Sequence, residues 1–160
     1  MRCQDSINLG LEIVKDIIDK SDWEIDLYKF GEIIEDMNQY DIIGFSIFYF
    51  TQMLNLVPFL KANNIEPLRK NRNKKPLLVA GGQGIQNPKP IKDFIDVFCM
   101  GNGEGVIEYL LDNYDDMDKL KENDYLLIPD IKEEFKFNNK MIIKDTNTDI
   151  NLVRMEYYLF

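Results

Sequence analysis

Between Tyr40 and Glu104 the chain reads Asp41-Ile-Ile-Gly-Phe-Ser46, then Pro76-Leu-Leu-Val-Ala-Gly-Gly82, then Phe94-Ile-Asp-Val-Phe-Cys-Met100, which breaks into Gly101-Asn-Gly-Glu-Gly105. Short β-branched runs that end abruptly in glycine are how an open parallel sheet places loops at the carboxyl ends of its strands. Those loops are where such sheets bind ligands. The three runs predict strands over 42–47, 77–80 and 97–100. Between and around them the apolar spacing switches to a helical period. Ile7, Leu9, Leu11, Ile13, Val14, Ile17 and Ile18 make one helical face, with Asp5 or Ser6 as N-cap. Residues 30–40 predict a short helix, a further helix runs to about Ala62, 90–94 is a helical turn, and 103–113 is a helix with Val106, Ile107, Leu110 and Leu111 on one face. Trp23–Tyr28 alternates and reads as a strand. Strand and helix in alternation with short loops predict an α/β chain, a parallel doubly wound sheet.

Beyond about Asp115 the pattern changes. Tyr125–Pro129 is apolar, and two alternating arms, 134–137 and 140–143, flank Asn138-Asn139, whose tolerance of positive φ suits a hairpin turn. The expected organisation is an α/β domain over 1–115 and a small β-hairpin appendage over 116–160.

Composition narrows the function. The chain has 160 residues, 45% hydrophobic and 12% aromatic, which supports one core. A net charge of −9 opposes a nucleic-acid partner, because nothing offsets repulsion from phosphates. The one dense basic run, Arg69–Lys75, reads as a solvated loop, with an RNA or partner contact as the alternative. No apolar run approaches the roughly 18 residues of a bilayer span, and no signal segment follows Met1. A cytoplasmic protein without membrane contact is the expectation.

Cys3 and Cys99 are too few for a disulfide framework or an iron–sulfur cluster. Cys99 lies in an apolar strand run and reads as a small buried hydrophobe. Histidine is absent, which removes Ser-His-Asp and Cys-His catalysis and most zinc and haem sites. The glycine junctions remain. Gly81-Gly82-Gln83-Gly84 is either a place where backbone meets a bulky ligand or a tight turn without one. It is neither a phosphate loop nor a dinucleotide fingerprint. Gly103 and Glu104 open a helix, whose free amides suit an anion, although Glu104 equally suits a first-turn carboxylate. Ser46 ends its strand as either a ligand hydrogen bond or a helix-entry cap.

Taken in order, Tyr40-Asp-Ile-Ile-Gly-Phe-Ser46, Pro76–Gly82, Asn87-Pro-Lys-Pro90, Asp93–Phe98 and Gly101-Asn-Gly-Glu104 resemble the N-terminal, cobalamin-binding-like domain of radical SAM proteins. The resemblance covers residues 5–112, including Asn8-Leu-Gly-Leu11. It implies a flavodoxin- or Rossmann-like fold, cobalamin as cofactor, and a radical SAM catalytic domain or subunit as partner. It carries Gly81, Gly82, Gly103 and Glu104 over as binding residues and matches Ser46 by position. Thr51 and Gln83 join them by proximity. The chain departs from the family in three ways. It has no Cys-x-x-x-Cys-x-x-Cys run for a radical SAM cluster and no Asp-x-His-x-x-Gly cobalamin motif, and the family's first strand would precede Cys3.

Three functions stay open: a non-catalytic domain or split subunit of a radical SAM enzyme that binds a corrinoid or shapes the active site, a module for a nucleotide-like anionic ligand, and a degenerate α/β interaction protein, with homo-oligomerisation as its variant.

Overall fold

Leu77–Gly81 (β2) is the centre of the structure, a computed structural model that describes residues 9–28, 34, 36–73 and 75–139. Its first four residues are all buried, as a strand covered on both faces must be. Ile42–Ser46 (β1) pairs parallel on one side, in register Ile42 with Leu77 through Ser46 with Gly81. Val97–Cys99 (β3) pairs parallel on the other, and Leu126–Leu127 (β4) joins β3 antiparallel. The order β1-β2-β3-β4 makes one four-stranded, mostly parallel sheet.

Side chains alternate across this sheet into two cores. Leu78, Ala80 and Phe98 face Met53, Leu56 and Leu60, from the 3-10 turn Phe50–Asn55 and the helix Leu56–Ala62 (α2), and also Ile85, Ile91 and Ile95. Both connections, β1 to β2 and β2 to β3, therefore cross the same face. Right-handed crossovers that step the same way across a sheet require this. On the second face, Leu77, Val79, Val97 and Cys99 meet Val106 and Leu110 of Val106–Asp112 (α3) and Leu120 of Met117–Leu120 (α4). Leu9–Ile18 (α1) packs against α3 on that side. Helices on both faces of a parallel sheet give the doubly wound α/β fold that the sequence predicts.

Several local expectations need correction. Trp23–Tyr28 forms no strand. It runs as irregular backbone, held by side chains instead of a ladder: Trp23 stacks edge-on to Tyr114 at 4.9 Å, and Tyr28 and Tyr40 share a 2.6 Å hydroxyl contact. In the expected helix over 30–40, Met37–Gln39 is a 3-10 turn capped by Asp36; residues 30–33 and 35 lie outside the described residues. The helix after Gly101 starts only at Val106, because Gly105 holds φ 74° and Glu108 turns back to accept its amide at 2.7 Å. Helix α4, capped by Asp116, was not legible.

The basic loop is also not all solvated. The Arg72 side chain is only 4% exposed and pairs with Asp96 at 2.8 Å. Its terminal nitrogens also donate to the carbonyls of Glu66, Pro67 and Phe94, while its Nε is left without a partner. Leu126–Leu127 belongs to the main sheet, and the second hairpin arm, 140–143, lies outside the described residues, as do Cys3 and the Asp5–Ser6 cap.

Candidate functional site

The second face of the sheet is not fully covered. Beneath α1 a cleft of about 1180 Å³ runs along it, floored by Ile42, Gly44, Ser46, Val79 and Gly81 and walled by Leu11 and Val14 of α1 and by Ile107 of α3. Ordinary small-molecule pockets occupy about 300–1,000 Å³, so this one suits a large ligand. Gly44 is decisive for its depth: a Cβ built there meets nothing within 4 Å. A glycine inside a strand commonly marks close approach by a ligand or another backbone.

The cleft opens at the carboxyl ends of the strands, where Gly81, Gly82, Gln83 and Gly101–Glu104 form its rim. Of the sequence-predicted residues, Ser46, Gly81, Gly82, Gln83, Gly103 and Glu104 all line it, while Thr51 lies exposed outside. The topology brings the three loops together because each follows a parallel strand on the same edge.

Geometry also explains why two rim glycines are glycines. Gly82 has φ 103°, and a Cβ there would stand 2.5 Å from the Ile47 carbonyl oxygen. Gly101 has φ 96°, and its Cβ would meet the Asn138 oxygen at 2.4 Å. Both positions serve backbone–backbone approach within the chain.

Asn138 is the rim residue that sequence reasoning missed. It is 1% exposed, and its Nδ2 donates to the carbonyls of Asn102 at 2.8 Å and Glu104 at 3.0 Å. Its backbone amide donates to Met100 O at 2.9 Å, and its carbonyl accepts from Asn102 N at 2.7 Å. These bonds pin the Gly101–Glu104 loop from a point more than thirty residues along the chain, and no local signal announces such a pairing. Gly44, by contrast, was visible as a glycine interrupting a β-branched run.

The electrostatics of the lining are one-sided. Asp22, Glu24, Asp26, Asp41 and Glu104 border the cleft together with Gln39, Gln83, Gln86, Asn102 and Asn139, and among the described residues no Lys or Arg lines it. Tyr40, at the far end, donates its hydroxyl to Asp26 at 2.8 Å. The hydrogen bond with Tyr28, then burial and Asp26, hold its pKa above the usual tyrosine value, so it stays a donor. Among the described residues no three His, Cys, Asp or Glu side chains cluster to hold a metal.

Cys99 also borders the cleft, yet burial pushes its thiol up to about 12 and keeps it neutral. The expected result is that a Cys3→Ser protein releases no thionitrobenzoate from Ellman's reagent at pH 8 until denaturant is added. Prompt reaction of the native protein would show that the cleft floor is open to the reagent.

Among the described residues, no helix is long and apolar enough to cross a membrane. No curated protein and no solved structure matches the chain. The family model described as the N-terminal region of radical SAM proteins matches residues 21–133, more than half the chain, with the whole four-stranded sheet and most of the cleft lining apart from α1 and Phe137–Asn139. The chain belongs to this family of radical SAM N-terminal domains.

Proposed function

We propose that the chain is the non-catalytic, cobalamin-binding-like domain or subunit of a radical SAM enzyme, and that its cleft holds a corrinoid against the catalytic domain. The observation that carries this reading is the lining of the cleft: large, largely apolar on its floor, rimmed by carboxamides and glycine backbone, and, among the described residues, without a cationic side chain. A corrinoid is a broad macrocycle with an apolar face and a fringe of amides, and these surfaces suit it. An anionic nucleotide suits them poorly, because Asp22, Glu24, Asp26, Asp41 and Glu104 border the cleft, and among the described residues no Lys or Arg lines it to offset their repulsion of phosphates. The nucleotide reading therefore falls behind.

With no histidine in the sequence, an imidazole of this chain cannot ligate the cobalt. When bound, the corrinoid would supply cobalt–carbon and electron-transfer chemistry. The chain's own part is to bind and orient it. Gly44, Val79 and Gly81 leave room for the ring, Gln83, Asn102 and Asn139 offer amide partners at the rim, and α1 walls one side of the cleft.

Equilibrium dialysis of the full chain against hydroxocobalamin, with ATP as comparator, tests the reading. Retention of the corrinoid spectrum after desalting is expected, with no retention of ATP. Gly44→Leu should abolish that retention, because its side chain projects into the empty floor. Its melting temperature should hold or rise slightly, since a side chain in place of glycine favours a strand. If the wild-type protein retains no corrinoid, the cleft serves only to shape the catalytic domain's surroundings.

A further inference from the structure

From Ile42 to Leu60 the chain contains no Asp, Glu, Lys or Arg, although 29% of all residues are charged. Burial explains only part of this. Ile43, Ile47, Met53, Leu56 and Leu60 lie in the core, but Phe48, Tyr49, Phe50 and Leu54 are large hydrophobics left in solvent, Tyr49 at 63% and Leu54 at 75% exposure. Contiguous exposed apolar surface marks an interaction site in a soluble domain.

Hydrogen bonds hold the backbone of the segment in this exposed pose. Gln52 Oε1 accepts the amides of Phe48 at 2.7 Å and Tyr49 at 3.0 Å, and the Phe48 and Tyr49 rings stack edge-on at 4.8 Å. Behind them the Ile47 carbonyl accepts from Gly84 N at 2.9 Å, an approach that Gly82 and Gly84 permit by lacking side chains. Aromatic residues on a backbone already ordered lose less freedom on binding, and cores of protein interfaces are depleted in charge and rich in such rings.

Position names the partner. Phe48 lines the cleft, so the patch continues from its mouth along the carboxyl edge of the sheet. The chain belongs to the N-terminal family of radical SAM proteins, and whatever acts on a ligand in the cleft must approach over this edge. We propose that Phe48, Tyr49, Phe50 and Leu54 are the footing on which the radical SAM catalytic domain docks. The inference rests on the functional reading above, but it concerns the surface and not the ligand.

The test uses the full chain and, as probe, the cluster-reconstituted catalytic domain of a radical SAM protein of this family. Binding is measured by sedimentation and by hydrogen exchange. The double variant Phe50→Ser/Leu54→Ser should weaken binding at least tenfold with an unchanged melting temperature. Ile131→Ser, which removes an exposed hydrophobe elsewhere, should not. Exchange over residues 48–55 should slow in the complex. Equal loss in both variants, no loss in the double variant, or a wild-type chain that does not bind would each overturn the docking surface. Self-association abolished by the double variant would overturn it in favour of a second copy. Cobalamin retention, read separately, shows whether the cleft reading fails or stands independently of these outcomes.

Discussion

Arg72→Ala is expected to lower the free energy of unfolding by about 3–5 kcal/mol, the usual cost of removing one partner from a buried ion pair. The Arg72 side chain is 4% exposed and that of Asp96 16% exposed, so water compensates poorly for a lost partner. Asp96 would keep one donor, the Leu78 amide at 2.8 Å, for a carboxylate that now accepts two strong bonds. The carbonyls of Glu66, Pro67 and Phe94 would lose their donor at the same time. The effect reaches the sheet, because the Leu78 amide is held by the same Asp96 Oδ2 just where β2 enters the core. Urea unfolding followed by circular dichroism measures it. Asp96→Asn in the same series keeps an acceptor for Leu78 and should cost less, and the double variant should be far from additive. A loss below about 1 kcal/mol for Arg72→Ala would mean that the guanidinium reaches solvent in solution, contrary to its burial here.

Gly82→Val is expected to cost about 3 kcal/mol or more. The backbone sits at φ 103°, ψ 171°, a region essentially restricted to glycine, where strain runs at about 1–3 kcal/mol. To this is added a Cβ placed 2.5 Å from the Ile47 oxygen, backbone that cannot swing away because it accepts the Gly84 amide. For a chain of this size the melting temperature should fall by roughly 6–12 °C. Seen from the sequence, Gly82 is as much a ligand contact as a turn, and a negative φ there would make valine harmless to the fold. The positive φ reverses that expectation. Gly82 lines the cleft, but its lack of a side chain is required by Ile47, so valine there would confound lost binding with lost folding. Gly44→Leu separates the two. A Gly82→Val protein that melts with the wild type would show that the turn does not have this geometry.

How much was legible follows from the range of the interactions involved. The runs at Ile42, Leu77 and Val97 are local apolar patterns, the last two closed by glycine and the first carrying Gly44 inside it, and a parallel arrangement follows from the helical segments between them. Ser46, Gly81, Gly82, Gln83, Gly103 and Glu104 were placed together by topology alone, since every parallel strand delivers its loop to one edge. Thr51 was assigned by nearness along the chain and lies outside the cleft, because the 3-10 turn Phe50–Asn55 spends its inward position on Met53.

The sequence by itself determined the fold class, the strand edge that carries the rim, and the absence of histidine and of a cysteine triad, since local patterning and composition need no knowledge of distant partners. Only the tertiary structure decided that Trp23–Tyr28 is not a strand, because a strand exists only where a neighbour pairs with it. It alone decided that Arg72 is buried against Asp96, that Asn138 pins the Gly101–Glu104 loop, and that α1 stands off the sheet above Gly44 to leave a cleft. These features depend on groups brought together from tens of residues apart, where sequence spacing carries no geometric information and packing alone chooses the partner.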